Sequence, residues 1–320
     1  MESSNTLVTI FGGAGFIGTQ VVQVLAKKGY RIRVAVRRPD LSGHVKPLGT
    51  VGQVMPIQAN IRNRDSVERA IKGASIVINL VGIGHESGRQ RFRAVHTMGA
   101  KNIAEAARAL KVEHLVHVSA LGADPQSPSG YARSKALGET EVLSAFPSAV
   151  ILRPSIVFGP GDGFFNRYGM LARMLPVVPV IGGKTRFQPL YVGDLALAIA
   201  AAVEGEVKGG RIYELGGPEI ATHSELVKRV IADTARTNPI VPLPAAIAKL
   251  VAFPLSFLPS PLITSDQIDL LQQDNVVSEA AIHDKRTLAA FGVTPTAMDA
   301  ILPSYLWRFM KNGQFDRQTA

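Results

Sequence analysis

The sequence predicts an α/β fold in which a doubly wound parallel sheet is followed by a smaller, mixed carboxyl-terminal lobe. Apolar runs of strand length alternate with helical stretches through the first 160 residues, and this alternation is typical of a parallel sheet covered by helices. Valine and isoleucine occupy both faces of the runs, as in residues 76–81, which is typical of strands buried on both sides. A glycine-rich turn joins the first strand to the first helix.

The elements of the first half follow from these patterns in chain order. Strands are predicted at Leu7–Phe11, Arg31–Val36, Val54–Ala59, Ile76–Val81, His114–Ser119 and Val150–Arg153. Helical spacing of apolar residues predicts helices over Ile17–Lys28 and Asn102–Leu110.

After about residue 160 the alternation changes. The patterns there predict a helix at Asp194–Val203, a strand at Arg211–Leu215 and two helices opened by capping boxes, at Thr222–Glu225 and Thr264–Gln267. We expect a first domain over residues 1–160 and a smaller substrate or partner lobe over 161–320, with about 187–215 returning to the first domain.

Composition excludes several classes of protein. The 320 residues are 46% hydrophobic and 19% charged, which predicts a globular chain, and the absence of cysteine excludes disulfide scaffolds and thiolate metal sites. No signal peptide or membrane-spanning run is predicted, because the longest apolar stretch, 244–258, is too short and is interrupted by Lys249 and Pro254. We therefore expect a cytoplasmic protein.

The net charge of +10 lies almost entirely in the first half, since residues 1–150 hold 19 basic and 10 acidic side chains and residues 151–320 hold 16 and 15. A basic half of this kind favours an anionic ligand, such as cofactor phosphates or an acidic lipid surface. Nucleic acid is not expected, because the basic residues are scattered and no binding motif is present. No metal site is expected either, because His114 and His117 lie three apart on a predicted strand and so point to opposite faces.

The glycine turn predicts that the first domain is a Rossmann domain that binds a nucleotide. Gly12, Gly15 and Gly18 follow the first strand directly, and Phe16 and Ile17 open the helix. Glycines at this spacing form a tight turn, let the backbone approach a pyrophosphate and pack the helix on the sheet, while the helix amino terminus attracts the phosphates. The alternative is a merely structural turn.

Two arginines favour NADP(H) over NAD(H). Folds that prefer NAD place a carboxylate after the second strand, whereas this chain has Arg37 and Arg38 there. Guanidinium groups bind a 2′-phosphate bidentately; the alternative is a pair of solvated arginines. Asn60 and Ile61, at the end of the third strand, are weaker candidates for contact with the adenine.

Tyr131 is followed four residues later by Lys135 on a predicted helix that runs to Ala145. The two side chains share a helix face, so the ammonium group can lower the pKa of the phenol and hold a nicotinamide ribose. A phenol tuned in this way can exchange a proton with a carbonyl or an alcohol. Tyr131 and Lys135 are therefore both catalytic and cofactor-binding candidates.

These motifs, together with residues 153–160 (RPSIVFGP) and 191–194 (YVGD), resemble the extended short-chain dehydrogenases/reductases. Residues 118–122, 187–192, 261–264 and 274–277 are most similar to an atypical branch of that family, which includes the NADPH-binding accessory subunit of respiratory complex I and relatives linked to ubiquinone biosynthesis. The resemblance implies bound NADP(H), with Val81, Pro154 and Val157 among the cofactor contacts. It also implies a respiratory or quinone-synthesising complex as partner, and a peripheral position at the inner face of the respiratory membrane.

Two positions depart from the pattern of active family members. The serine or threonine that binds the substrate oxygen in such enzymes aligns with Leu121, and Ser119 comes two residues early. Ser119 therefore stays a catalytic candidate, and the alternative is that the oxygen-binding hydroxyl is absent. His96 stands where many active relatives carry asparagine, so we interpret it as a structural histidine.

Three functions are open at this point. The first is an NADPH-dependent oxidoreductase, the second is an accessory protein with a resident cofactor, and the third is a sugar-nucleotide epimerase or dehydratase. The proline-rich stretch 239–261, with Ala245–Phe253 and with Phe257 and Leu258, is expected to pack in the core of the small lobe. The alternatives for this stretch are docking on a membrane and covering a quinone-like ligand.

Overall fold

The computed structural model describes residues 6–255 and 263–313, with the side chains of 253–255 left aside. Phe257 and Leu258 lie outside these residues. Within the described ranges the strands are β1 Leu7–Phe11, β2 Arg31–Val36, β3 Val54–Gln58, β4 Ile76–Asn79, β5 His114–Val118, β6 Val150–Pro154, β7 Val157–Phe158, β8 Val178–Val180, β9 Arg186–Phe187, β10 Leu190–Tyr191, β11 Arg211–Leu215, β12 Ala221–Thr222 and β13 Ile240–Pro242. The α-helices of the same ranges are α1 Phe16–Lys27, α2 Arg64–Ile71, α3 Met98–Ala109, α4 Gly130–Ala145, α5 Phe165–Met174, α6 Val192–Val203, α7 His223–Asp233, α8 Ala245–Leu255, α9 Ser265–Leu270, α10 Glu279–His283 and α11 Met298–Leu306.

Seven strands form one parallel sheet in the order β11-β6-β5-β4-β1-β2-β3. The chain moves outwards from β1 to β3 and then returns to place β4 on the other side of β1, so the strand order reverses between β1 and β4. Ligands of open α/β sheets bind outside the carboxyl ends of the strands at such a point. The predicted doubly wound parallel sheet is therefore confirmed.

The chain divides into two compact units. The first runs up to Pro154 and takes in Gly193–Leu215 and Ser278–Thr294, whereas the second holds Ser155–Val192, Gly216–Val277 and the chain from Pro295 onwards. The return to the first unit thus begins at Gly193, and a second return, Ser278–Thr294, has no counterpart in the boundaries expected from sequence. This later segment is attached to the sheet by hydrogen bonds, since Arg286 donates to the carbonyl of Ile212 on β11.

The core of the first unit includes Phe11, Val77, Ile103, Leu115 and Ile151, which are nearly fully buried. These side chains come from one face of β1, β4, β5 and β6 and from the helix α3 that covers it. They explain the apolar runs of the sequence, because each central strand of a parallel sheet must be apolar on both faces.

Helix α3 begins at Met98, four residues before the start expected from sequence, and a single π-helical turn at Arg93–Thr97 precedes it. Gly99 lies within its first turn, where glycine is a poor helix former. The side chain of Ile61 packs against Gly99 so closely that a Cβ there would collide with it. The close packing of α3 against Ile61, which lies just beyond β3, therefore outweighs helix propensity at Gly99.

The second unit contains three two-stranded sheets, β7–β10, β9–β12 and β8–β13. Its core is rich in aromatic residues and includes Phe158, Phe165, Tyr168 and Phe187. Both predicted capping boxes are confirmed, at the start of α7 and at the start of α9. Among the described residues, no helix is long and apolar enough to cross a membrane.

Candidate functional site

The glycine turn lies between β1 and α1 at the carboxyl edge of the sheet. Gly12 has a φ of +81°, and a Cβ there would lie 3.2 Å from the carbonyl carbon of Leu80. At Gly18 a Cβ would overlap the carbonyl oxygen of Gly12. Both positions therefore require glycine, and the backbone of the turn is open to a ligand that approaches it closely.

Helix α1 begins at Phe16 and has Gly15 as its N-cap, with extended backbone angles and no side chain to cap the helix. Phe16 and Ile17 are its first two residues, and the N–H groups of a first turn have no partner within the helix. The positive end of the helix dipole points to the same place. The turn and the helix together form a cradle that fits a pyrophosphate.

Arg37 and Arg38 follow β2 directly, and both are exposed. Among the described residues, neither guanidinium group has an ion-pair partner. The segment after them returns to the glycine turn, because Nε2 of His44 donates a hydrogen bond of 3.2 Å to the carbonyl of Ala14. His44 had no recognisable signal in the sequence, but it fixes the loop that carries the two arginines beside the turn.

Asn60 and Ile61 lie just beyond β3 at the same edge of the sheet. The Oδ1 atom of Asn60 accepts a hydrogen bond from the backbone N–H of Arg62 at 3.1 Å, and the carbonyl of Ile61 accepts one from Asn102 at 2.8 Å. The amide oxygen of Asn60 is thus already used in the turn. Its amide nitrogen is the atom of this side chain best suited to contact an adenine.

A buried Asn79–His117 pair holds Val81 in place. Asn79 and His117 are register partners on β4 and β5, and the amide nitrogen of Asn79 donates to Nδ1 of His117 at 2.9 Å. Oδ1 of Asn79 accepts from the N–H of Val81 at 3.1 Å. This arrangement makes Nδ1 of His117 an acceptor, so the proton is on Nε2, which has no partner among the described residues.

Burial, reinforced by the nearby charge of Lys135, holds the pKa of His117 well below its usual value. His117 is therefore neutral and serves as a positioning residue for Val81. In the sequence His117 was considered only as a metal ligand and rejected. The available signal was that Asn79 ends β4 and His117 lies one residue before the end of the neighbouring strand β5.

Helix α4 carries Tyr131 and Lys135 one turn apart, and Ser129 caps its amino terminus through the N–H of Ala132. Lys135 is only 4% exposed, and its ammonium group donates to the carbonyl of Val118 at 2.9 Å. Burial lowers the pKa of Lys135 to about 8, against an opposing contribution from Glu139. A buried ammonium group with one carbonyl acceptor has hydrogen-bonding capacity left for ribose hydroxyls.

Glu139 continues the face of α4 one turn beyond Lys135. Its carboxylate is almost fully buried and accepts a bidentate pair of hydrogen bonds from Arg153 on β6, at 2.9 and 2.6 Å. A second carboxylate, Glu214 on β11, lies 3.8 Å from the same guanidinium group. Sequence reasoning missed Glu139, although its spacing of four from Lys135 was a visible signal.

The ring of Tyr131 packs edge-on against His96 and Phe92, with centroids 5.3 and 5.8 Å away. His96 itself uses both ring nitrogens: Nε2 accepts from the N–H of Ile83 at 3.0 Å, and Nδ1 bonds the hydroxyl of Ser134 at 2.8 Å. Since that hydroxyl donates to the carbonyl of Tyr131, the Nδ1 atom carries the proton. Burial, with the charge of Lys135, lowers the pKa of His96 to about 3, so its role here is structural.

Ser119 follows β5 directly and is buried. Its backbone N–H donates to the carbonyl of Leu152 at 2.7 Å, while its hydroxyl has no partner among the described residues. Leu121, which aligns with the family's substrate-binding hydroxyl, is buried and offers only an aliphatic side chain there. A buried hydroxyl without a protein partner is the kind of group that a ligand oxygen completes.

The first unit contains the predicted residues of the glycine turn, the two arginines, Asn60, Ile61, Val81, Ser119, Tyr131 and Lys135. Pro154 also belongs to it, as the last residue of β6. Val157 lies in β7 of the second unit, where it pairs with Leu190. Among the described residues, no group of three or more histidine, aspartate or glutamate side chains is placed to hold a metal ion.

Comparison with known proteins defines the class. Residues 8–216 match the NAD dependent epimerase/dehydratase family, and the chain belongs to that family. The fold agrees: the Escherichia coli NADPH-dependent quinone oxidoreductase solved with NADPH superposes with a TM-score of 0.72 at 19% identity, over 94% of this chain and 99% of the other.

Within the family, the chain is similar to a respiratory subunit. It is 39% identical over 293 residues to the mitochondrial NADH dehydrogenase [ubiquinone] 1 alpha subcomplex subunit 9 of Arabidopsis thaliana, a match that spans 87% of this chain and 73% of the relative. It is also 36% identical over 203 residues to the ceramide reductase of Caulobacter vibrioides, which spans 63% of this chain and 62% of that protein.

Proposed function

We propose that this protein binds NADP(H), in preference to NAD(H), at the carboxyl edge of the seven-stranded sheet. The observation that carries the proposal is the glycine turn, where Gly12 and Gly18 leave no room for a side chain and α1 begins with an uncapped first turn. A dinucleotide has a pyrophosphate that fits such a cradle.

Each part of the edge has a role in this proposal. The N–H groups at Phe16 and Ile17 bind the pyrophosphate, and the guanidinium groups of Arg37 and Arg38 bind the 2′-phosphate. Lys135 binds the hydroxyls of the nicotinamide ribose. When bound, the nicotinamide supplies or accepts a hydride.

We propose further that the dinucleotide is a resident ligand and that the protein is an accessory member of a respiratory or quinone-synthesising complex, positioned peripherally at the membrane. The similarity to the subunit of Arabidopsis NADH dehydrogenase supports this partner. Two features of the site agree with a holding role. Leu121 replaces the expected hydroxyl, and both ring nitrogens of His96 are engaged in hydrogen bonds, which removes it from proton transfer.

An NADPH-dependent reductase is the second candidate, because Tyr131 and Lys135 are both present and the Ser119 hydroxyl is buried without a protein partner. In that function Tyr131 donates its phenolic proton to a substrate carbonyl oxygen, and Ser119 donates a hydrogen bond to the same oxygen. The similarity to a ceramide reductase supports a reductase as this second candidate. An epimerase or dehydratase is less well supported, since Leu121 lacks the hydroxyl that such enzymes use.

The first test is native mass spectrometry of gently purified protein, followed by denaturation and identification of any released nucleotide. We expect about one NADP(H) per chain that exchanges slowly with added cofactor. Protein that carries no nucleotide and fails to bind added NADPH would contradict the proposal. Free exchange would instead favour the reductase.

A Tyr131→Phe variant separates the two functions. It removes the phenolic proton and leaves the fold and the ribose-binding Lys135 in place. Assembly of the partner complex is expected to continue with this variant, and retention of NADP(H) is expected to stay close to wild type. If a reductase activity and complex assembly are lost together, the accessory role is wrong.

Replacing both Arg37 and Arg38 by alanine tests the cofactor preference. Each charge-assisted hydrogen bond to a phosphate contributes about 1.5–3 kcal/mol, so we expect NADPH to bind at least about tenfold more weakly, with NADH affected little. Arg31→Ala is the matched control, because Arg31 is exposed at the opposite end of the same strand. Equal weakening of both cofactors, measured by isothermal titration calorimetry, would show that the arginines do not read the 2′-phosphate.

A further inference from the structure

Helix α8 of the second unit has aliphatic side chains on two of its faces. Ala248 and Ala252 are buried and pack with Ile268 of α9. On the other side, Ile247, Leu250 and Val251 are 51%, 77% and 54% exposed. Their spacing of three and four residues places them on one helix face, which we call the α8 face. The expectation that this stretch packs in the core of the small lobe therefore holds for only one of the two faces of α8.

Further exposed aliphatic residues adjoin the α8 face along the chain. β13 pairs with β8 immediately before α8 begins, and Val241 on β13 is exposed. Met174 and Val177, which lead into β8, are exposed as well. Asn238, two residues before β13, connects this lead-in to the same region, since its side chain donates a hydrogen bond to the carbonyl of Leu175. Exposed aliphatic side chains gathered in one region mark an interaction surface.

The charges of these segments are all of one sign. Residues 163–183 and 234–263 contain no aspartate or glutamate, and their charged residues are Arg167, Arg173, Arg236 and Lys249. Lys249 forms an ion pair with Asp269 of α9. The nearby acidic residues, Asp266 and Asp269, lie on α9, whereas the segments that carry the exposed aliphatic residues are basic. A basic, apolar surface is complementary to an anionic, apolar partner.

We propose that the α8 face docks on the surface of an anionic lipid bilayer. This inference rests on the peripheral position included in the proposed function and assigns the surface responsible for it. The tight contacts of protein interfaces are concentrated in tryptophan, tyrosine and arginine, whereas the exposed face of α8 consists of isoleucine, leucine and valine. Such side chains enter the boundary between lipid headgroups and acyl chains, where no matching shape is needed.

The test is co-sedimentation of the full-length protein with vesicles of equal parts phosphatidylcholine and phosphatidylglycerol, and with vesicles of phosphatidylcholine alone. We expect binding to the mixed vesicles that weakens with salt, and much less binding to the neutral ones. The double variant Ile247→Ser with Leu250→Ser is expected to bind the mixed vesicles at least about tenfold more weakly, because burial of each large aliphatic side chain contributes about that factor. Leu197→Ser is the matched control, since Leu197 is 45% exposed on α6 of the first unit, and it is expected to bind like the wild type.

Several results would overturn the proposal. These are failure of the wild type to sediment with either vesicle, equal sedimentation of the double variant, and a self-associated wild type that becomes monomeric in the double variant, which would mean that a second copy covers the face. NADPH retention, measured on the same preparations, separates this inference from the proposed function. If NADPH is retained but the protein does not bind vesicles, only the docking surface is wrong. If NADPH is lost but vesicle binding is normal, only the cofactor proposal is wrong.

Discussion

In the first unit, buried polar groups gather at one edge of a large sheet, whereas in the second unit they fix loops and helix ends. Lys135, His117 and Ser119 share the carboxyl edge, and the last two each keep a buried polar atom without a partner among the described residues. In the second unit, Asp162 uses one carboxylate oxygen to accept from the N–H of Phe165 at 2.7 Å and the other to accept from the hydroxyl of Tyr305 at 2.6 Å.

The buried histidines of the two units differ in the protonation of the ring nitrogen that has no partner. Nε2–H of His117 has no partner among the described residues, and the ring lies close enough to Lys135 for that charge to lower its pKa. His223 lies within an aromatic cage of Phe164, Tyr168 and Phe187 and donates to the carbonyl of Ile181 at 2.7 Å. Burial there lowers the pKa of His223 to about 4. Nε2 of His223 and Oδ2 of Asp233 are also buried without a partner among the described residues, but Nε2 of His223 can only accept, whereas Nε2–H of His117 and the hydroxyl of Ser119 can donate to the oxygens of a ligand.

The largest effect on cofactor binding by the first unit is expected for Gly18→Ala. The new methyl group overlaps the carbonyl oxygen of Gly12, so α1 must shift away from the turn that is proposed to hold the pyrophosphate. We expect NADPH binding, measured by fluorescence titration, to fall by at least about a hundredfold, since displacing α1 removes several hydrogen bonds to the phosphates. Gly163→Ala in the second unit is the control, because a Cβ there meets open space. If both variants bind alike, the glycine turn is not the cofactor cradle.

A second prediction compares one ion pair from each unit. Arg153→Met leaves the buried carboxylate of Glu139 unpaired, which costs about 3–5 kcal/mol when a buried partner is lost. Arg186→Met breaks the Arg186–Asp274 pair of the second unit, whose side chains are 58% and 40% exposed, and should cost less than about 1 kcal/mol. The measurement is urea unfolding followed by circular dichroism.

The double variant Arg153→Met with Glu139→Gln sharpens this second prediction. Removing the unpaired charge should restore most of the stability lost in Arg153→Met. If the double variant is as unstable as the single one, Arg153 contributes through packing and not through the pairing of charge.

The sequence indicated much of the first unit because its signals are local. The strand at Leu7–Phe11, the glycine turn and the Tyr131–Lys135 spacing each lie within a few residues, and every strand of the first six was found to within two residues at its ends. The parallel direction of the strands followed from the alternation, since parallel strands require crossover connections such as helices.

What sequence reasoning missed depends on contacts between distant residues. Asn79 and His117 are 38 positions apart in the sequence and lie on two different strands. Arg153 on β6 contacts Glu139 on α4 only in the folded chain. The second unit was described least well, because its strands are two or three residues long and too short for a periodic pattern. The exposure of the α8 face was missed for a different reason. The sequence of an apolar helix is the same whether one of its faces is covered by the protein or both are.

The smallest expected effect is a pH dependence that belongs to the first unit alone. The pKa of Lys135 is about 8 in the free protein, and ribose hydroxyls that accept from its ammonium group favour the charged form, so binding raises this pKa. Above pH 8 the free protein has lost the proton and must take one up on binding. The dissociation constant for NADPH should therefore rise with pH above about 8, by at most about tenfold per unit.

The variant Lys135→Gln should bind NADPH more weakly at neutral pH and show no such rise, because the titrating group is gone. The 2′-phosphate cannot account for a rise in this range, since a phosphate monoester loses its second proton near pH 6. A slope in isothermal titrations that persists in Lys135→Gln would therefore assign the proton to another group and remove Lys135 from the ribose site.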